Sequence, residues 1–337
     1  MKIYNDYSLA AHNTFGIDER CKRFIDIESE QDAIDVCSMI DPDERLLIVG
    51  QGSNLLLGGF FDGTVLHSAI TGCHSVAIGN EVMLRCGSGE CWDDVVAFAV
   101  DNGWFGMENM SLIPGDVGAS AVQNIGAYGA EAKDVISQIE AVELATGKKV
   151  TINNHECDYG YRNSRFKGEW KNRFFITHVT YQLSVEYAPR LDYGNIRAEL
   201  MRRNIDYPLP LQLRQVIIDI RNAKLPDPKV LGNAGSFFMN PVVERPVFEA
   251  LQSRYPDMPY YEIDDDHVKI PAGWMIEQCG WKGRDLGNAG VYDKQALVLV
   301  NRGGATGKDV INLAHAVIND VKEKFGIEIH PEVNVVC

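Results

Sequence analysis

Residues 46–59 read Leu-Leu-Ile-Val-Gly-Gln-Gly-Ser-Asn-Leu-Leu-Leu-Gly-Gly, an apolar run interrupted at 50–54 by two glycines and three polar side chains. The first four residues have the length and branched character of a buried strand. Gly50, Gln51, Gly52, Ser53 and Asn54 then form a loop whose amides can approach a bound anion and point at it, and a diphosphate suits that geometry. A Rossmann fingerprint wants a third glycine followed by a helix. Leu55 stands at that place, and LLLGGFFDG (55–63) runs into another turn, so a dinucleotide fold of that kind fails here. Taken alone, the loop reads as a plain tight turn between strands, since glycine clusters there usually serve geometry.

Working outward, CKRFIDIES (21–29) alternates as a half-buried strand, and Ser29 with Asp32 forms a capping box for a helix to about Ile40. With RLLIVG (45–50) this gives a β-α-β start. Beyond Thr64, short apolar runs such as VAI (76–78) and EVMLR (81–85) alternate with turn residues. One helix intervenes, WDDVVAFAVDNGW (92–104), stopped by Gly103. The pattern favours an α+β sheet over repeated βαβ units.

A second glycine cluster follows at Pro114, Gly115, Asp116, Val117, Gly118, Ala119 and Ser120, continuing through Gln123-Asn-Ile-Gly-Ala-Tyr-Gly129. So many small residues imply close backbone approach to something flat or phosphorylated. From about Arg214 the chain changes character, with a Pro-spaced loop KLPDPKVLGNAG (224–235) and then separate helices and strands. Thr306 and Asp309 cap a last helix whose stripe is Val310, Leu313, Ala314, Val317, Ile318 and Val321, ended by Gly326. The expected domains are 1–70, 71–213 and 214–337.

Composition narrows the function. The 337 residues carry 47 acidic against 32 basic side chains, a formal charge of −15 that opposes nucleic acid as a partner. No run approaches the ~18 apolar residues of a membrane span, and MKIYNDYSLA lacks the order of a secretory signal, so the cytoplasm is the expected location. Eight cysteines are scattered without a C-x-x-C pair or histidines at zinc spacing. They read as reduced thiols, Cys86 and Cys91 being nearest in sequence, and no metal is expected.

Two glycine-rich loops without a Rossmann fingerprint resemble the flavin-binding fold shared with vanillyl-alcohol oxidase. NTFGID (13–18), GQGSNLLL (50–57), LIPGDVGASAVQNIGAYGAE (112–131), GYRNSRF (160–166), KLPDP (224–228), GNAGSFFMNP (232–241), AGWMIEQCGWKG (272–283) and HPEV (330–333) occur in this order along nearly the whole chain. The set resembles the UDP-N-acetylenolpyruvoylglucosamine reductases. LDYGNI (191–196) resembles the longer class of that family, in which a tyrosine loop covers the substrate.

The resemblance implies an FAD-binding α+β fold followed by a smaller α+β substrate-binding domain. It implies NADPH as hydride donor, FAD as carrier and UDP-N-acetylglucosamine enolpyruvate as acceptor. FAD would lie against Gly50, Gln51, Gly52, Ser53, Asn54, Pro114, Gly115, Gly118, Asn124, Gly126 and Tyr128. No His or Cys falls at 50–59 or 113–129, which favours non-covalent attachment.

The catalytic residues implied are Arg162, Ser236 and Glu332. Adding hydride to the enolpyruvyl C3 builds charge on the neighbouring carboxylate, which Arg162 would hold and stabilise with its planar cation. Glu332 would work on that carboxylate as a carboxyl acid, which requires a raised pKa. Ser236 would deliver the C2 proton, and no G-x-S-x-G elbow surrounds it to suggest a hydrolase.

Tyr193 and Lys224 would sit near the UDP diphosphate, with Asn240, Lys282 and Gln295 lining the site. An acidic protein must set such cations against its own field. Met239 and Asn334 stand where family members often carry lysine and arginine. Two other readings remain open: a different flavin oxidoreductase on the same fold, and a non-catalytic UDP-sugar binder, which would purify without flavin colour.

Overall fold

The computed structural model describes residues 1–41 and 43–337. Contacts group them into two compact units. The first comprises Met1–Tyr7, Cys21–Gln51 and Asp62–Ala223; the second comprises Ser8–Arg20, Gly52–Phe61 and Lys224–Cys337. Two short stretches from the N-terminal third thus pack with the C-terminal third, an interleaving that the serial boundaries at 70 and 213 did not anticipate.

In the first unit, a four-stranded sheet runs in the order Lys2–Ser8, Arg20–Ile27, Phe61–Ser68, Leu46–Val49. Leu46–Val49 pairs in parallel with Phe61–Ser68, Leu46 opposite Thr64, so Phe61–Ser68 separates the two strands of the expected β-α-β start. The helix between them begins at Glu30, with the Ser29 hydroxyl accepting from the Asp32 amide at 3.1 Å. It gives way at Val36 to a tighter 3-10 turn through Ser38, short of Ile40.

A five-stranded sheet is antiparallel throughout: Lys148–Asn153, Ile136–Glu143, Phe174–Ser184, Glu81–Gly87, Cys73–Ile78. Leu84, Val179, Tyr181 and Ile139 bury one of its faces with Trp92, Val95, Val96 and Ala99 of the helix Trp92–Asp101. Gly103, at φ +75°, ends the turn beyond that helix. The PGDVGAS segment, read as loop, instead opens a short helix, Val117–Gln123. Its small residues allow it to press on the strand end: a Cβ on Gly118 would come within 2.9 Å of the Ser88 Cβ.

The second unit holds a sheet ordered Asn233–Ser236, Val298–Asn301, Ala289–Val291, Asp285–Leu286, with the helix Gly307–Phe325 against it. Thr306 and Asp309 make the expected reciprocal cap, Gly326 closes the helix at φ +71°, and Val310, Leu313, Ala314, Val317 and Val321 are buried. Asn334–Val336 pairs in parallel with Leu55–Leu57, which ties the chain's end to the stretch just after the first glycine loop. Among the described residues no helix is long and apolar enough to cross a membrane.

Candidate active site

The first glycine loop is fastened to the second by one carboxylate. Asp116 accepts from the Gln51 amide at 2.8 Å and from Gln51 Nε2 at 2.6 Å, and a Cβ on Gly50 would strike its Oδ2. A side chain at position 50 would have to displace that carboxylate from its Gln51 partners. Burial pushes the Asp116 carboxyl from an ordinary 3.8 up to about 6, against the opposing effect of the two Gln51 hydrogen bonds. Sequence reading passed over Asp116 because a buried acid between glycines has no pattern of its own.

Around Arg162 the backbone is strained. Gly160 and Asn163 exchange amide-to-carbonyl bonds of 3.0 and 3.2 Å, so Tyr161 and Arg162 form the tip of a two-residue turn, and Arg162 takes a left-handed φ of +52°. A bulky side chain in that region is uncommon and persists only where its surroundings hold it. Asn124 Nδ2 donates to the Gly160 carbonyl at 2.8 Å, Ser164 Oγ donates to Val122 O at 2.7 Å, and Arg162 Nη2 donates to Gly126 O at 2.6 Å. The expected cofactor residues Asn124 and Gly126 thus position the expected catalytic arginine. Asn124 is itself buried and left-handed at φ +46°, closing the helix Val117–Gln123.

Gly126-Ala127 and Ala130-Glu131 form a hairpin with Tyr128 at φ +50° and Gly129 at φ +79°. Both positive angles mark the turn that matches strand twist, usually made by Asn-Gly. Asn109 Nδ2 holds the Tyr128 carbonyl at 2.8 Å and that of Arg190 at 2.9 Å. Tyr193 lies on this turn: a Cβ on Gly129 would be 3.3 Å from the Tyr193 Cβ. Tyr193 is 55% exposed, which leaves it available to a ligand.

A second arginine belongs here that no motif signalled. Arg221, on the helix Pro210–Lys224, interacts electrostatically with Tyr128 and Arg162, and burial lowers its pKa. Its buried Nε has no hydrogen-bond partner among the described residues. A desolvated guanidinium beside another guanidinium, with a donor to spare, calls for an anion. This orphaned donor beside the glycine-rich second cluster fits a phosphate-bearing flavin and an anionic substrate.

In the second unit Gly52, at φ +65°, packs so tightly that a Cβ would overlap the His12 carbonyl. Asn54 Nδ2 donates to the Glu332 carbonyl at 3.3 Å, and the Asn334 amide donates back to Asn54 O at 3.1 Å. Glu332 N donates in turn to Phe237 O at 2.8 Å, next in sequence to Ser236. The segments of Ser236 and Glu332, distant in sequence, therefore run side by side, Glu332 opposite Phe237 and next to the bridge that pairs Phe238 with Pro331. The turn before Ser236 is shaped by Asn233, buried, whose Oδ1 accepts from the Gly235 amide at 2.9 Å while Gly235 takes φ +69°. Asn334 carries its side chain back to Asn54 O at 3.2 Å, a local role at the position where the family often has arginine.

Of the expected substrate residues, Asn240 and Gln295 converge on the helix Ala272–Gln278. Asn240 Oδ1 accepts from the Ala272 amide at 2.9 Å, and a Cβ on Gly273 would be 3.2 Å from Gln295 Oε1. Lys282 pairs with Glu277 at 2.9 Å on the surface. Lys224 is exposed at the end of its helix. Among the described residues no group of three His, Cys, Asp or Glu side chains could hold a metal.

Two family models match: an FAD binding domain over residues 22–153, and the C-terminal domain of UDP-N-acetylenolpyruvoylglucosamine reductase over 227–336. The reductase of Bacteroides fragilis strain YCH46 is 53% identical over 98% of this chain and 99% of its own length. That of Porphyromonas gingivalis strain W83 is 47% identical over the full length of both. The crystal structure of the Thermus caldophilus enzyme, 20% identical, superposes at a TM-score of 0.68 over 100% of this chain and 98% of that one, so the fold is shared. With both segments matched in order and more than half of all positions identical to a relative of the same length, the chain belongs to the UDP-N-acetylenolpyruvoylglucosamine reductase family.

Proposed function

We propose that this protein reduces UDP-N-acetylglucosamine enolpyruvate to UDP-N-acetylmuramate with NADPH, through non-covalent FAD, as a step in making peptidoglycan precursors in the cytoplasm. The observation that supports this reading is the backbone bond from the Glu332 amide to Phe237 O, which brings the Glu332 segment alongside the segment of Ser236, two residues the family's chemistry needs. Bound FAD would lie against residues 50–54 and 114–128 and would supply two-electron transfer from the nicotinamide to the enolpyruvyl carbon. The division 1–70, 71–213 and 214–337 then assigns the first two segments to the flavin and the third chiefly to the substrate.

The chain's own residues do the rest. Arg162, held by its left-handed turn and its bond to Gly126 O, grips the substrate carboxylate and meets the charge that develops there on C3 attack. Arg221 adds a second desolvated cation near Arg162 and Tyr128, so the anion finds a donor that no group among the described residues satisfies. Glu332 polarises the carboxylate, and Ser236, on a glycine-shaped strand end, delivers the proton to C2. Tyr193, Lys224, Asn240, Lys282 and Gln295 bind the UDP half, the lysines offsetting a net charge of −15 near a diphosphate.

Ser236→Ala tests the assignment. Only protonation of the substrate needs that hydroxyl, so reduction of the flavin by NADPH should proceed near the wild-type rate while its reoxidation by the enolpyruvyl substrate slows by about 10²-fold or more. Stopped-flow absorbance separates the two halves. Equal slowing of both would remove Ser236 from the chemistry.

A further inference from the structure

All eight cysteines are free thiols, and two of them face each other. Cys73 and Cys86 are directly opposed across the hairpin of Cys73–Ile78 and Glu81–Gly87, with their sulfurs 3.2 Å apart in a thiol–thiol hydrogen bond. The ladder fixes what kind of pair this is. Ile78 faces Glu81 across the two-residue turn of Gly79 and Asn80, and such a turn is flanked by a hydrogen-bonded pair. Pairs then alternate, so Val76–Met83 and His74–Arg85 are bonded and Cys73–Cys86 is not. One step on, the bonding resumes as expected, the Gly87 amide donating to Gly72 O at 2.9 Å. Non-bonded pairs bring Cα atoms to about 4.5 Å, the short end of the separation a disulfide accepts.

The two sulfurs are not equivalent. Cys86 is buried and Cys73 half-buried, so reagents reach Cys73 first. The hydrogen bond it shares with Cys86 holds the Cys73 thiol below its ordinary pKa, with burial and Glu90 opposing. The same bond, followed by burial, pushes Cys86 up and keeps it protonated. A more acidic, more accessible sulfur beside a protonated neighbour is the arrangement of an attacking and a resolving thiol.

We propose that Cys73 and Cys86 form a reversible oxidation site that closes into a disulfide on exposure to a hydroperoxide. The Cys73 thiolate attacks one peroxide oxygen; the S–O bond forms as the O–O bond breaks, leaving a sulfenic acid and, after protonation, water. The Cys86 sulfur then attacks the Cys73 sulfur, the S–S bond forms, the S–O bond breaks, and hydroxide leaves with the Cys86 proton as a second water. Two thiols lose two electrons and two protons, and one hydrogen peroxide becomes two waters. The closed bridge lies two residues from Ser88, whose carbonyl accepts the Gly118 amide at 2.9 Å, so it braces the strand end on which the second glycine cluster is seated.

The test uses the full-length, flavin-loaded protein titrated with hydrogen peroxide, then alkylated and mapped as peptides without reductant. Two of the eight thiols should disappear, one cross-link should join the Cys73 and Cys86 peptides, dithiothreitol should restore both, and the oxidised form should melt several degrees higher. Cys73→Ser should keep all its remaining thiols at the same dose. Cys86→Ala, if its circular dichroism matches wild type, should trap a sulfenic acid on Cys73 that dimedone labels. Eight intact thiols at peroxide levels that consume a free cysteine peptide, or a cross-link involving any other cysteine, would overturn the proposal.

Discussion

At the scale of single residues, the chain spends stability where chemistry is expected. Holding Arg162 at φ +52° costs about 1–3 kcal/mol relative to relaxed backbone, and three side-chain bonds from Asn124, Ser164 and Arg162 itself sustain it. Arg162→Lys would keep the charge and the strained turn while losing the planar fork. Its reoxidation by the enolpyruvyl substrate should fall by about 10²-fold or more, as for loss of one charge-stabilising donor, while flavin reduction by NADPH continues. A variant with wild-type reoxidation would return Arg162 to a purely structural role.

Asp116 adds a pH signature. Its folded pKa of about 6 lies above the ordinary 3.8, so between those values the folded state keeps a proton that the unfolded chain releases. Its contribution to stability therefore falls as pH rises through that window, the reverse of a salt-bridged carboxylate, and at full ionisation the cost is about 3 kcal/mol. Thermal melts from pH 4 to 7 should show Asp116→Asn gaining on wild type as pH rises. A constant difference across that range would mean the carboxyl titrates normally.

Among the elements, turns built from unusual residues carry the site. Tyr128 and Gly129 occupy a turn that normally takes Asn-Gly, and Tyr193, itself exposed, rests against it. A loop so placed suits closure over the UDP diphosphate with the phenol as donor. Tyr193→Phe should raise the KM for the enolpyruvyl substrate with little change in kcat. An unaltered KM with a lowered kcat would exclude that role. Elements with local signals were legible: the capped helix Gly307–Phe325, the Gly103 stop, and the alternation of Arg20–Ile27. The helix Val117–Gln123 was not, because its sequence is glycine- and alanine-rich and its stability comes from packing on Ser88 and the strand behind it rather than from any stripe of its own.

Over the whole molecule, two facts escaped sequence reading for the same reason: both depend on long-range pairing. The parallel ladder between Leu55–Leu57 and Asn334–Val336 interleaves the N-terminal third with the C-terminal one, and the approach of Arg221 to Arg162 and Tyr128 joins segments with no shared motif. Periodicity reports a residue's neighbours along the chain and says little of such partners. The glycine clusters themselves were visible, and Gly52 is where backbone leaves a side chain no room.

The most direct measurement is anaerobic. Protein bleached at about 450 nm by one equivalent of NADPH should regain its flavin colour on adding UDP-N-acetylglucosamine enolpyruvate, with one UDP-N-acetylmuramate formed per flavin reoxidised. Flavin that stays bleached until oxygen is admitted, with no UDP-N-acetylmuramate formed, would contradict the reaction assigned to this protein.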